Sequence, residues 1–168
     1  MPLSMYQASI PAFRQSLTAL SAILGKTAAH AAARKIDPNA LLGARLYPDM
    51  FTFIRQVQVA ADFAKSTAAR LAGVELPKFP DNETSFEELQ ERIGKTVKFL
   101  DSLKPGQIDG SEEKTITFPV GGQPMTFKGQ HYLVGFALPN FYFHVTAAYA
   151  ILRHNGVEIG KRDFLGAA

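Results

Sequence analysis

The stretch LPNFYFHVTAAYAILRHNG, residues 138–156, decides the fold of this chain. Its apolar side chains recur on every side of a helical wheel, which predicts a helix that is buried all round in the middle of a bundle. Before its final turn the strongly polar groups are Asn140 and His144, which are four residues apart and therefore on one face. Buried polar groups must be satisfied by each other, by water or by a bound ion. We therefore expect any chemistry to lie there, with Tyr142 as a further candidate for lining a pocket.

Composition excludes several classes of protein. With 168 residues, 46% of them hydrophobic, the chain predicts one globular domain over residues 1–168. The net charge is only +3 and the basic residues are scattered, which argues against a nucleic-acid partner. The chain has no cysteine, so disulfides, thiolate catalysis and cysteine-based metal sites are excluded. No signal peptide or long apolar run is evident, so we expect no membrane association and a cytoplasmic protein.

Three amphipathic helices are predicted before the central stretch, from apolar residues spaced three and four apart. The first covers residues 5–33 and contains Pro11, which we expect to kink the helix rather than to start it. The second has its buried stripe over residues 50–71, and Gln56 lies beside that stripe and could point inward. The third covers residues 86–103 and ends before a proline and a glycine.

Between residues 111 and 128 the apolar period changes from about 3.6 to 2, which predicts a β-hairpin. A two-residue turn at Gly121 and Gly122 would place Phe118 opposite Met125 and make one face of the ribbon apolar. The predicted fold class is therefore mainly α: an antiparallel four-helix bundle with one small β-hairpin between helices 3 and 4.

Several segments resemble known families. His144 stands eight residues before Leu152-Arg153, and HNGVEIGKRDF follows at residues 154–164; this pattern resembles the C-terminal signature of the DinB/YfiT-like putative metalloenzyme bundles. Over nearly the whole chain, the segments LYPDMF, RQVQVAAD, RLAGVE and ALPNFYFHV resemble more closely a bacterial family of unknown function within that fold group.

The resemblance implies a position for a metal. Metal-binding relatives of the DinB type hold a divalent ion with one histidine on the second helix and two histidines four apart on the fourth. The matching positions here are Gln56, Asn140 and His144, so the resemblance implies a degenerate site in which amide oxygens replace two imidazoles around Zn, Ni, Mn or Fe. His131 and His154 would be roughly 20 and 15 Å from His144 along a helix, too far to complete it.

Three functions stay open from the sequence. The first is a small-ligand-binding module with a polar-centred pocket. The second is a divalent-metal-dependent enzyme of the hydrolase or thiol-transferase type, which the resemblance implies. The third is a structural homodimer, in which the last helix and the C-terminal tail pack against a second copy.

Overall fold

The computed structural model describes residues 3–166 and is mainly helical. Its elements, in chain order, are α1 (Met5–Arg34), α2 (Pro38–Leu42), α3 (Phe53–Ala72), α4 (Phe86–Ser102), α5 (Pro105–Ile108), β1 (Thr115–Val120), β2 (Gln123–Lys128), α6 (Gly129–His131), a π-helical segment (Tyr132–Ala137), α7 (Leu138–His154) and α8 (Lys161–Leu165). The predicted fold class is confirmed: α1, α3, α4 and α7 are the four long helices, and the hairpin lies between the third and fourth of them.

The first helix begins and ends where its local chemistry requires. The Ser4 hydroxyl accepts from the Gln7 backbone N–H, and the Gln7 side chain accepts in return from the Ser4 N–H, so two free amide donors are satisfied. Pro11 lies within the helix, as the sequence predicts. The helix ends at Lys35, whose positive φ of 56° turns the chain out of helical geometry.

The four long helices close a ring of contacts. Helix α1 packs against α4 and α7, and α3 packs against the same two helices from the other side. Phe13 from α1 and Phe141 from α7 meet edge to face in the core, with ring centroids 4.8 Å apart, and Phe53 from α3 is equally buried. Truncating any one of these rings to alanine would cost about 3–5 kcal/mol of stability.

The hairpin has the predicted register. Phe118 pairs with Met125 and Ile116 pairs with Phe127 across the two antiparallel strands. The turn residues Gly121 and Gly122 have φ values of 57° and 81°, which a two-residue turn of this kind requires and which glycine adopts without strain. The inner face of β1 is buried and covers the π-helical segment that leads into α7.

Helix α7 is not buried all round, so that part of the prediction is wrong. Phe143 is 58% exposed and Tyr142 is 37% exposed. The physical reason is the ring of contacts: each long helix has two main neighbours, so one strip of α7 faces outward even though its side chains are apolar.

The C-terminal tail packs against its own chain. Helix α8 lies on α1, where Lys26 Nζ pairs with Asp163 Oδ1 at 2.5 Å and Gln15 Nε2 donates to the Leu165 carbonyl oxygen at 2.8 Å. The sequence led to the expectation that the last helix and this tail pack against a second copy, and within one chain the tail already has these contacts with α1. Over the described residues, no helix has both the length and the apolar character needed to cross a membrane.

Candidate functional site

The site is centred on a hydrogen bond between His144, in the middle of α7, and Gln56, in the first turn of α3. His144 Nδ1 lies 2.7 Å from Gln56 Oε1. Both side chains are buried, with 7% of His144 and 1% of Gln56 exposed. Helix α3 begins at Phe53 behind the Thr52 cap and packs against α7, so its fourth residue, Gln56, faces the imidazole.

This hydrogen bond fixes which nitrogen of the imidazole carries the proton. Burial, together with the positive charge of Arg55, lowers the pKa of His144 to about 4, so the ring is neutral near pH 7. The Gln56 amide nitrogen donates to the Phe51 carbonyl oxygen at 3.5 Å, which leaves the amide oxygen to accept from Nδ1–H. Nε2 then keeps its lone pair and has no hydrogen-bond partner in residues 3–166. Nε2 is not among the fully enclosed side-chain atoms that lack a partner in this part of the chain, so it keeps some contact with solvent.

Three phenyl rings surround the imidazole. Phe51 and Phe63 lie nearly parallel to it, at interplanar angles of 17° and 19° and centroid distances of 6.2 and 5.8 Å. Phe143 meets it edge to face at 5.2 Å. Phe51 is 49% exposed and Phe143 is 58% exposed, so the neutral acceptor of His144 lies beside an aromatic surface that is open to solvent.

Arg55 connects this aromatic surface to a group of charged side chains. Its guanidinium lies 5.8 Å from the centre of the Phe51 ring, a cation–π distance. Arg55 Nη1 also donates to Gln58 Oε1 at 3.2 Å and to Asp81 Oδ2 at 2.5 Å. Asp81 belongs to the linker between α3 and α4, so the linker holds Arg55 in place next to the site.

Arg92 is the buried centre of that charged group, which we call the Arg92 network. Its guanidinium donates to Asp62 at 2.8 Å, to Glu83 at 2.9 Å and to the Pro80 carbonyl oxygen at 3.1 Å, and it pairs with Asp81 at 2.9 Å. Burial alone would lower the pKa of Arg92, but the hydrogen bond to Glu83 and the carboxylate charges outweigh burial and raise it. The network contains three cations and three carboxylates, so its formal charges balance: Arg55, Lys65, Arg92, Asp62, Asp81 and Glu83.

The structure brings two of the predicted pocket residues together and leaves two apart. Gln56 and His144 are bonded to each other. Asn140, one turn earlier on α7, instead donates to the Phe136 carbonyl oxygen at 2.7 Å, at the end of the π-helical segment. Tyr142 packs edge to face on Phe141 and lies two residues from the imidazole, on a different side of the helix.

The donors at this site do not fit the metal that the resemblance implies. Gln56 meets His144 through a direct hydrogen bond, and the Asn140 amide is engaged with its own helix. One imidazole nitrogen therefore remains as a donor, where zinc, nickel or iron sites in proteins need three or more ligands. Within residues 3–166 there is also no group of three or more His, Cys, Asp or Glu side chains that could hold a metal ion.

Two clefts of the described surface lie away from this site. One, of about 160 Å³, lies between the linker and α4 and is bordered by Phe79 and the buried Arg92. The other, of about 350 Å³, lies at the base of the hairpin beside Lys128 and His131. Both have cations next to carboxylates. An available uncharged acceptor beside exposed rings, rather than the depth of a cleft, distinguishes His144.

Sequence reasoning missed two of the residues that complete the site. The second helix was predicted to include Met50, whereas Thr52 caps it, so Phe51 lies in the preceding loop with its ring free to turn toward α7. A capping box has Glu or Gln three residues after the capping Ser or Thr, but Arg55 stands at that position after Thr52. The sequence therefore gave only a weak signal that the helix begins after Thr52. Arg55 lies in the first turn of α3, and no spacing in the sequence marks it as part of a site.

Comparisons with known proteins identify a family and a similar solved structure. The family model described as "Domain of unknown function (DUF1993)" matches residues 5–165. No curated protein matches the chain. A crystal structure of a protein from Shewanella denitrificans, described as a DinB family member, is 40% identical in sequence and has a TM-score of 0.89. The similarity covers 97% of this chain and 92% of that one.

Proposed function

Because the chain belongs to the family described as "Domain of unknown function (DUF1993)", and is similar in structure to a DinB family member, we propose that it is a small-molecule binding protein of this fold. The binding site is the imidazole of His144 with the rings of Phe51, Phe63 and Phe143 around it. The observation that carries the proposal is the state of that imidazole. Its Nδ1 is bonded to Gln56, while Nε2 keeps a free lone pair next to exposed aromatic surface.

Binding is favoured over acid–base catalysis by the low pKa of His144. A general base is most effective when its pKa lies near the working pH. A histidine with a pKa of about 4 stays neutral near pH 7 and is a weak base, but it is a constant hydrogen-bond acceptor. A metal-dependent reaction is not part of the proposal, since the donors do not fit a metal.

The test is a screen of small neutral and charged fragments against protein labelled with ¹⁵N on histidine. Fragments that bind at the site should move the His144 ring signals. For these fragments, calorimetric titration should show that His144→Phe abolishes binding. His154→Gln is the matched control, because His154 lies on the same helix and is exposed. If fragments bind equally well to His144→Phe, or if none moves the His144 signals, the proposal is wrong.

A second candidate is a homodimer that forms through the exposed strip of α7. The observation that favours it is the exposure of Phe143 and Tyr142, two large apolar side chains on one helix. Light scattering at micromolar concentration, compared between the wild type and Phe143→Ser, tests it. A monomer in both proteins rules the dimer out.

A further inference from the structure

We propose that the His144 site takes an uncharged, planar ring that carries one N–H or O–H donor, such as a phenol, an indole or a cyclic amide. This inference rests on the proposed function and adds the chemical class of the ligand. Three properties of the site support it: the arrangement of the rings, the single free acceptor, and the balance of charge nearby.

The rings favour a planar ligand. Phe51, the imidazole and Phe63 lie within 20° of a common orientation, while Phe143 stands perpendicular to the imidazole at 90°. Aromatic groups gain from offset stacking and from edge-to-face contact, and this arrangement offers both. Since about half of Phe51 is exposed, a flat ligand can lie against it without displacing the core.

The free acceptor requires a donor on the ligand. Nδ1–H of His144 is already bonded to Gln56, and the neutral ring has no second N–H to offer. A ligand that covers Nε2 without donating to it leaves a desolvated acceptor, which is unfavourable. Ligands that lack a donor should therefore bind about tenfold more weakly or worse.

The charge balance favours an uncharged ligand. The neutral imidazole offers no charge to an anion. The nearby cation, Arg55, is already paired with Asp81, and the Arg92 network to which both belong has equal numbers of positive and negative groups. A charged ligand would lose hydration against phenyl rings, and Arg55, the cation in contact with the Phe51 ring, is already paired with Asp81 and would compensate that loss little.

The test compares four matched probes on the unaltered protein: phenol, anisole, 4-hydroxybenzoate and tyramine. Anisole keeps the phenol oxygen but carries a methyl group in place of the donor hydrogen. 4-Hydroxybenzoate adds a negative charge, and tyramine adds a positive charge on an aminoethyl arm. Dissociation constants come from titrations followed on the His144 ring signals. We expect phenol to bind most tightly, anisole to bind about tenfold more weakly or worse, and both charged probes to bind more weakly than phenol.

The outcomes separate the two proposals. If anisole binds as tightly as phenol, or if a charged probe binds more tightly, the ligand class is wrong while the binding site stands. If neither these probes nor any screened fragment moves the His144 signals, the proposed function fails and the ligand class fails with it. The phenol and anisole comparison needs no variant, so it does not depend on whether His144→Phe folds.

Discussion

Acid should destabilise this protein through His144, and the size of the effect follows from its surroundings. The ordinary pKa of histidine is 6.5, and burial beside Arg55 lowers the pKa of His144 to about 4 in the folded state. Below about pH 6.5 the unfolded chain therefore binds a proton that the folded chain does not. The free energy of unfolding falls as the pH falls, and the loss levels off once the pH passes below about 4.

The full loss is about 3 kcal/mol, because each unit between the two pKa values corresponds to about 1.4 kcal/mol. About 2 kcal/mol of it should be gone by pH 5. A loss of this size is a large fraction of the stability of a typical domain, which is about 5–15 kcal/mol.

The assay is urea unfolding at a series of pH values from about 7 down to about 4.5, for the wild type and for His144→Phe. The variant keeps an aromatic ring but cannot titrate. Its baseline stability drops because Gln56 loses a partner, so the slope against pH is the quantity to compare. The other three histidines are present in both proteins and cancel. If the two slopes are equal over this range, His144 is not held neutral by burial and the reasoning about its tautomer and its acceptor is refuted.

Three further predictions concern substitutions at residues whose neighbours the structure defines. Gln56→Glu should raise the pKa of the His144 imidazole by about 1–3 pH units, since a carboxylate would stabilise the charged ring. An NMR titration of the ring measures this pKa. An unchanged pKa would show that the two side chains are not in contact. Arg92→Met should lower the free energy of unfolding in urea by about 3 kcal/mol, because it leaves three carboxylates without their buried partner. The control Arg14→Met breaks an exposed ion pair and should lower it by less than about 1 kcal/mol. Equal losses in the two variants would contradict the role given to the Arg92 network. Gly129→Ala should lower the melting temperature, because the new Cβ would overlap the Ser111 carbonyl oxygen. Gly94→Ala, on the open face of α4, should instead raise the stability by up to about 1 kcal/mol. If Gly129→Ala melted at a higher temperature than Gly94→Ala, the base of the hairpin would be packed differently.

Much of the fold could be predicted from the sequence because its signals are local. Pro11 within α1, the two glycines of the hairpin turn and the alternation along β1 each restrict the backbone or the exposed face at their own positions. The outward strip of α7 could not be predicted, because the apolar character of a residue such as Phe143 does not indicate whether a neighbouring helix covers it.

The candidate site was only half visible in the sequence. His144 was found because it is one of two strongly polar residues in an otherwise apolar helix. Gln56 was found because it lies beside the buried stripe of its helix and at a position where the family resemblance implies a metal ligand. The turn of Asn140 toward Phe136 could not be foreseen, since it depends on the π-helical segment that exposes the carbonyl oxygen. Arg92 was hidden for a related reason: on its helix it looks like a solvent-facing charge, and its partners come from a linker with no periodic pattern.

The Arg92 network also bears on how this chain can be modified in the laboratory. The linker between α3 and α4 has no regular secondary structure, so it looks like the natural place for an inserted reporter or affinity tag. Asp81 and Glu83 are nevertheless bonded to a buried guanidinium, so lengthening this linker would pull both carboxylates from Arg92. The tip of the hairpin at Gly121 and Gly122 is exposed and has open space around it, and an insertion there would leave the helices and the His144 site untouched.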